Sequence, residues 1–140
     1  MDYFSILNLN REPFSNSPDP DYFYHSRQHL DCLQKVELSL HLRRGLNVIL
    51  GEVGTGKTTL CRQLIRRFAQ HKEMETHLIL DPLFKDGSDF LAAVSQLLSG
   101  KRPAERTTDW QVKEFIKHSL FRKGVDQKKT TILIIDEGQK

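Results

Sequence analysis

The chain has 140 residues, of which 38% are hydrophobic and 28% are charged. This balance is typical of one folded globular domain with a real core. The formal net charge of +3 is too small to indicate a nucleic-acid or membrane partner by itself, and no stretch approaches the ~20 apolar residues that cross a bilayer.

The cysteines and the first residues predict a cytoplasmic protein. Cys32 and Cys61 are the only cysteines, and neither belongs to a CxxC pair. Two thiols cannot hold together a small secreted scaffold, so we expect both to be reduced. The opening MDYFSILNLN has no basic flank and no long apolar run, and it therefore does not read as a signal peptide.

The chain order begins with an aromatic and proline-rich segment. Prolines at 13, 18 and 20 exclude a continuous helix there. Ser26 then offers an N-cap, and apolar residues at helical spacing predict a helix that Gly45 ends. We expect residues 1–45 to pack as a unit on a core formed by residues 46–140.

Strands and helices alternate after Gly45. The pattern predicts strands at 46–50, 76–80 and 130–135, and helices at 57–70, 88–98 and 108–122. Thr108 and Gln111 form a capping-box pattern, and Gly124 lies beyond the end of that helix. Alternating strands and helices imply βαβ units, and hence an α/β fold with a parallel sheet and three layers.

The segment GEVGTGKT between the first strand and its helix has the pattern of a phosphate-binding loop, G-x-x-x-x-G-K-[ST]. Its glycines let successive N–H groups turn towards phosphate oxygens at a helix N-terminus. We predict that Lys57 bridges the β- and γ-phosphates and that the Thr58 hydroxyl binds Mg²⁺. The predicted ATP-binding residues are Gly51, Val53, Gly54, Thr55, Gly56, Lys57, Thr58 and Thr59.

A chance glycine-rich turn is the alternative interpretation of this loop. With glycine at its average frequency, the pattern arises by chance in roughly half a percent of chains of this length. The predicted order of strand, loop and helix is the context that the motif requires. The phosphate-binding interpretation is therefore strongly favoured.

The last predicted strand ends in Asp136 and Glu137. Ligands of parallel α/β sheets bind at the carboxyl ends of the strands, so we expect Asp136 on the same rim as the loop, where it would hold Mg²⁺. Glu137 would act as the general base that polarises the attacking water, which favours hydrolysis over transfer to a small molecule. The alternative is that both acids begin a solvated loop.

Three weaker candidates precede the acids. His25 and His29 lie four residues apart, but no further ligand has metal-site spacing, which favours a structural role. Asp81 follows the second strand and is either a second residue of the ligand rim or a turn residue before Pro82. The aromatic residues near Tyr22 either stack on an adenine ring or pack in the core.

The chain resembles the ATPase domain of the general secretion pathway protein A (ExeA-like) family of AAA+ proteins. The resemblance is carried by YFSILNLNREPFSNSPDPDYFYHSRQH, GEVGTGKTTL and ILIIDEGQ. It implies an ATPase of the P-loop AAA+ type that works as a homo-oligomer with protein partners of a secretion or envelope complex. It also implies that part of residues 22–29 lies beside the adenine.

In that family the domain continues through a sensor strand, an arginine finger and a helical lid. We therefore expect this chain to be a partial product, truncated after the acidic strand, with a gap at its sheet centre and weak hydrolysis alone. Two alternatives stay open. One is a DNA-transaction ATPase of the transposition type, and the other is a nucleotide-gated switch with little hydrolysis.

Overall fold

The three-dimensional structure is a computed structural model, which describes residues 6–10 and 20–139. Most of the proline-rich and aromatic opening, residues 1–5 and 11–19, lies outside the described residues. The prediction that this opening packs on the core therefore stays a prediction.

The chain divides into two compact units, Met1–Leu64 and Ile65–Lys140. The predicted division into residues 1–45 and 46–140 is not tested by these units. Helices and parallel strands are both present in the described residues, so the α/β class is confirmed. The three-layer arrangement stays a prediction.

The first unit contains helix α1, Arg27–His41, which begins as the sequence predicts. The side chain of Ser26 accepts a hydrogen bond from a first-turn N–H group and caps the helix. The predicted end at Gly45 is wrong. Arg43 adopts the left-handed conformation with φ of 53°, and the N–H groups of Arg43 and Arg44 close the last turn on helix carbonyls.

The predicted strand at 46–50 is wrong as well, because this segment is not hydrogen-bonded as a strand. In the described part of the chain the sheet has two strands, and neither pairs with this segment. A strand forms only where a neighbour accepts and donates its backbone hydrogen bonds. The alternate side chains of the segment are 84%, 70% and 89% exposed, at Leu46, Val48 and Leu50.

Helix α2, Lys57–Phe68, follows the glycine-rich loop. It ends two residues before the predicted helix, 57–70. Its apolar residues recur with the 3.6-residue period of a helix, so they lie on one face. Leu60, Leu64 and Phe68 are buried, and Ile65 is half-buried.

The second unit is built on two parallel strands, β1 (Met74–Ile79) and β2 (Thr130–Ile135). β2 has the predicted bounds, and β1 begins two residues earlier than predicted. The register pairs Met74 with Thr130 and Ile79 with Ile135. The carboxyl ends of both strands therefore lie at the same edge, where the residues after each strand become neighbours.

Two helices connect the strands, as a parallel pair requires. They are α3, Gly87–Ser99, and α4, Asp109–Phe121. The predicted capping box at the start of α4 is confirmed, since Thr108 and Gln111 each bond the other's backbone. Gly124 lies beyond the last residue of α4, as predicted, within a π-helical turn, Arg122–Asp126, that follows the helix.

An ion pair connects β1 to this turn. The Lys123 ammonium donates a hydrogen bond to the Glu75 carboxylate, and the two side chains are only 11% and 29% exposed. The imidazole of His77 lies 2.9 Å from the same carboxylate oxygen. The hydrogen bond from Lys123 is the main cause that lowers the pKa of Glu75. The ion pair therefore stabilises the second unit while Glu75 is ionised.

Candidate functional site

Two glycines of the glycine-rich loop have left-handed backbone. Gly54 and Gly56 adopt φ of 81° and 84°, which side-chain-bearing residues rarely adopt. A Cβ at Gly51 would lie 2.9 Å from the Thr55 hydroxyl oxygen, so a side chain there would require that hydroxyl to move. We call residues 51–58 the phosphate loop from here on.

Hydrogen bonds within the loop hold its curve. The Thr55 hydroxyl donates to the Glu52 carbonyl at 2.8 Å. The Lys57 ammonium donates to the carbonyls of Gly51 and Glu52 at 2.9 and 2.7 Å. These two bonds place the positive charge of Lys57 beside the backbone at the start of the loop.

The phosphate loop leads directly into the first turn of α2. The first backbone bond of this helix runs from the Leu60 N–H to the Gly56 carbonyl at 2.8 Å. The N–H groups of a first helical turn have no acceptor inside the helix, and with the helix dipole they attract anions. Thr58 and Thr59 stand in this turn and are half-buried. Left-handed glycines, a helix N-terminus and a lysine together fit a phosphate group.

A histidine of α1 contacts the loop, which the sequence did not predict. The Nε2 atom of His29 lies 2.9 Å from the Thr55 carbonyl oxygen, and its Nδ1 atom lies 2.7 Å from the Ser26 hydroxyl. The ring of Phe23 packs against this imidazole with centroids 4.9 Å apart. The available signal was the position of His29 three residues after an N-cap serine, where side chains reach back to the cap.

The second predicted group of residues, the acids after β2, lies in the second unit. Asp136 is buried, with 8% of its surface exposed. Its N–H donates to the Ile79 carbonyl at 3.0 Å, which extends the strand ladder one residue beyond β2. The Glu137 N–H donates to the Asp136 carboxylate at 3.1 Å. The backbone of Asp136 is thus fixed beside the end of β1.

Glu137 adopts a backbone conformation that is unusual for its residue type. Its φ is 59°, in the left-handed region that costs a residue with a side chain about 1–2 kcal/mol. Its carboxylate accepts a hydrogen bond from the Gln139 amide at 2.6 Å. Such strain is often found at functional sites. We call residues 136–139 the acidic turn.

Asp81 is placed after β1 at the same edge as the acidic turn. It also has positive φ, 51°, and is exposed. Its carbonyl accepts a hydrogen bond from the Leu83 N–H at 2.7 Å, which is the geometry of a tight turn. The turn interpretation accounts for this contact, while a role at the ligand rim stays a prediction.

The described residues contain neither a cluster of metal-ligating side chains nor a helix of membrane-spanning character. Among the residues that the structure describes, no group of three or more histidine, cysteine or acidic side chains could hold a metal ion. Within the same part of the chain, no helix has the length and apolar character of a membrane span.

Comparison with known proteins adds the family. A family model described as AAA domain matches residues 40–140. General secretion pathway protein A of Aeromonas hydrophila is 38% identical over 92 residues, which are 66% of this chain and 16% of that relative. The matched region is thus a small part of the relative's length. No solved structure matches significantly.

The family match covers both the phosphate loop and the acidic turn. AAA domains are P-loop nucleotide-binding modules, and the loop geometry described above agrees with that fold. The similarity to a secretion protein supports the ExeA-like resemblance of the sequence motifs. The chain belongs to the AAA domain family.

Proposed function

We propose that the chain binds ATP through its phosphate loop and hydrolyses it with Mg²⁺. The observation that carries this proposal is the loop itself, with left-handed Gly54 and Gly56 and the Lys57 ammonium beside the backbone before α2. Backbone amides and one lysine suit the β- and γ-phosphates of a nucleotide. The family match supports nucleotide binding independently.

The metal ligands belong to this proposal. Mg²⁺ prefers oxygen ligands, and the Thr58 hydroxyl and the Asp136 carboxylate would supply them, the latter through water. When bound, the ion would neutralise charge on the phosphates. The proposed cofactors are therefore ATP and Mg²⁺.

Glu137 is the proposed general base for hydrolysis. It follows Asp136 directly in the sequence. Its backbone in the acidic turn is left-handed, with φ of 59°, which a residue with a side chain rarely adopts. A carboxylate that accepts a proton from an attacking water gives hydrolysis, whereas phosphate transfer to a small molecule does not need one. Substitution by glutamine keeps the shape and removes the base.

The wider role is proposed from the relative. General secretion pathway protein A is named for secretion, and we propose that this chain energises the assembly of a secretion or cell-envelope system. Homo-oligomerisation and a cytoplasmic location form part of the same proposal.

The test is to measure the dissociation constant for ATP in the chain and in Lys57→Ala. The substitution removes a hydrogen bond from a charged donor, and such a bond contributes about 1.5–3 kcal/mol. The loss should weaken ATP binding roughly 10- to 100-fold. The matched control is Lys113→Ala, an exposed lysine on α4, which should bind like the wild type. Equal affinities of the Lys57→Ala variant and the wild type would refute the loop assignment.

Hydrolysis is tested separately with Glu137→Gln under single-turnover conditions, with protein in excess so that slow hydrolysis is measured. We expect the ATP affinity to be unchanged and the rate constant of hydrolysis to fall by a factor of about 10²–10⁴. If both proteins hydrolyse ATP at the same rate, Glu137 is not the base. If neither protein hydrolyses ATP but both bind it, this chain alone binds the nucleotide without hydrolysing it, which favours the nucleotide-switch alternative.

A further inference from the structure

We propose that His29 is a positioning residue of the phosphate loop, whose imidazole N–H sets the direction of the Gly56 amide. This inference rests on the proposed binding of ATP by the loop. It concerns a residue of α1, outside the phosphate-loop motif. The contact is the hydrogen bond of 2.9 Å between His29 Nε2 and the Thr55 carbonyl oxygen.

The two partners of the ring fix its tautomer. A carbonyl oxygen can only accept, so the His29 Nε2 atom carries the hydrogen. The Ser26 hydroxyl, 2.7 Å from Nδ1, can then donate to that nitrogen. The same Ser26 oxygen accepts the His29 N–H at 3.2 Å as the cap of α1. The helix cap therefore also orients the imidazole.

The consequence for the loop follows from peptide geometry. The carbonyl and the N–H of a trans peptide point in opposite directions, and none of the described peptides is cis. Because the Thr55 carbonyl points at His29, the Gly56 N–H points away from it. A phosphate in the loop would meet that N–H group, since successive loop amides converge on such a ligand.

This restraint matters because glycine is free to rotate. Gly56 has φ of 84°, and glycine occupies positive and negative φ about equally well. Without an outside contact, the peptide between Thr55 and Gly56 can turn its N–H away from the loop. The bond from His29 opposes that rotation before any ligand binds, which lowers the ordering cost of binding.

Aromatic packing holds the imidazole against the loop. Phe23 contacts the rings of His29 and His25 at centroid distances of 4.9 and 5.0 Å. A Cβ built on Gly56 would lie 3.7 Å from His29 Nε2 and 3.8 Å from the Phe23 ring. Both rings therefore lie in contact range of the loop at the peptide that His29 orients.

The experiment compares two variants of similar shape, His29→Gln and His29→Met. Glutamine keeps an N–H donor close to the position of Nε2, and methionine does not. We expect the methionine variant to bind ATP about three- to tenfold more weakly, the effect of one lost hydrogen bond, and the glutamine variant to recover most of the affinity. His118→Met, which changes an exposed histidine of α4, is the control and should bind like the wild type.

The outcomes distinguish a positioning role of the His29 N–H group from a role of His29 in stability alone. Unchanged affinity in His29→Met overturns the proposal, and so does an equal loss in both variants with unchanged melting temperatures. Failure of the wild type to bind ATP would refute the proposed function instead.

The wild type itself gives a second test that needs no variant. At about pH 8, above the ordinary histidine range, ring nitrogen NMR shifts should show the Nε2–H tautomer, and an Nδ1–H tautomer overturns the proposal.

Discussion

The phosphate loop and the acidic turn both contain left-handed backbone, but different types of residue adopt it in the two regions. In the loop, the residues with φ of 81° and 84° are glycines, Gly54 and Gly56. In the acidic turn, Glu137 has φ of 59° although it has a side chain. A loop that binds through amides can dispense with side chains, whereas a turn that presents a carboxylate cannot.

The two regions are also held in place differently. Hydrogen bonds among residues 51–57, with one from His29, hold the phosphate loop. The acidic turn is held by the strand ladder, since the Asp136 N–H bonds the Ile79 carbonyl. The loop should therefore be most sensitive to changes in its own residues, and the acidic turn to changes in the strands below it.

Among the changes that test this comparison of the two regions, the largest effect should come from a Cβ in the phosphate loop. Gly56→Ala places alanine at φ of 84°, which costs about 1–2 kcal/mol or rotates the peptide. We expect ATP affinity to fall by about tenfold or more, measured by isothermal titration calorimetry. The added carbon has ordinary contacts of 3.7 and 3.8 Å, so backbone conformation causes the loss.

Gly45→Ala is the matched control for that substitution. Gly45 has no atom within 4 Å of a built Cβ and is not among the residues with positive φ. ATP affinity should stay at the wild-type value. Similar losses in both variants would show that the left-handed backbone of the loop is not what binding requires.

A smaller effect should follow when the support of the strand ladder is weakened. Glu75→Gln removes the charge that pairs with Lys123, and we expect the free energy of unfolding to fall by about 1.5 kcal/mol at neutral pH. Chemical denaturation measures it. The control is Glu73→Gln, whose pair with His71 is more exposed, at 57% and 47%, and should change stability little.

The pH dependence of this difference has a definite sign. The folded-state pKa of Glu75 is lowered, chiefly by the hydrogen bond from Lys123. Its stabilising contribution is therefore complete above the unfolded pKa of about 4.3, and it is lost as the pH falls through the folded value. The wild type and Glu75→Gln should converge in stability at acidic pH. A difference that persists there would contradict the ion-pair explanation.

The smallest effect concerns the backbone of the acidic turn. Glu137→Gly and Glu137→Ala both remove the carboxylate, but only alanine keeps a Cβ at φ of 59°. We expect the glycine variant to be more stable by about 1 kcal/mol, seen as a higher melting temperature. Equal stability would mean that Glu137 is not strained, and the contrast with the loop would then disappear.

Local signals explain which parts of the fold were predictable. Ser26, the Thr108 capping box and the bounds of β2 were predicted correctly, because each depends on side chains within a few residues or on a continuous apolar run. The end of α1 was not, since Arg43 took the left-handed position that glycine usually fills. Gly45 was a reasonable but wrong expectation.

The failed strand at 46–50 has a different cause. Its apolar pattern resembles that of β2, but β2 has a hydrogen-bonded neighbour in β1, and among the described residues the earlier segment has none. Strand formation depends on a distant partner, which a local pattern does not contain. The contact of His29 with Thr55 spans 26 residues and was missed for the same reason.

The central claim is that the amides of the phosphate loop bind the phosphates of a nucleotide. Backbone amide NMR during titration with Mg²⁺–ATP and with adenosine tests it most directly. We expect ATP to shift the amide resonances of Gly54, Gly56 and Lys57 strongly, while adenosine, which lacks phosphates, leaves them unchanged. Shifts caused equally by adenosine, or ATP binding that leaves these three amides unaffected, would contradict the claim.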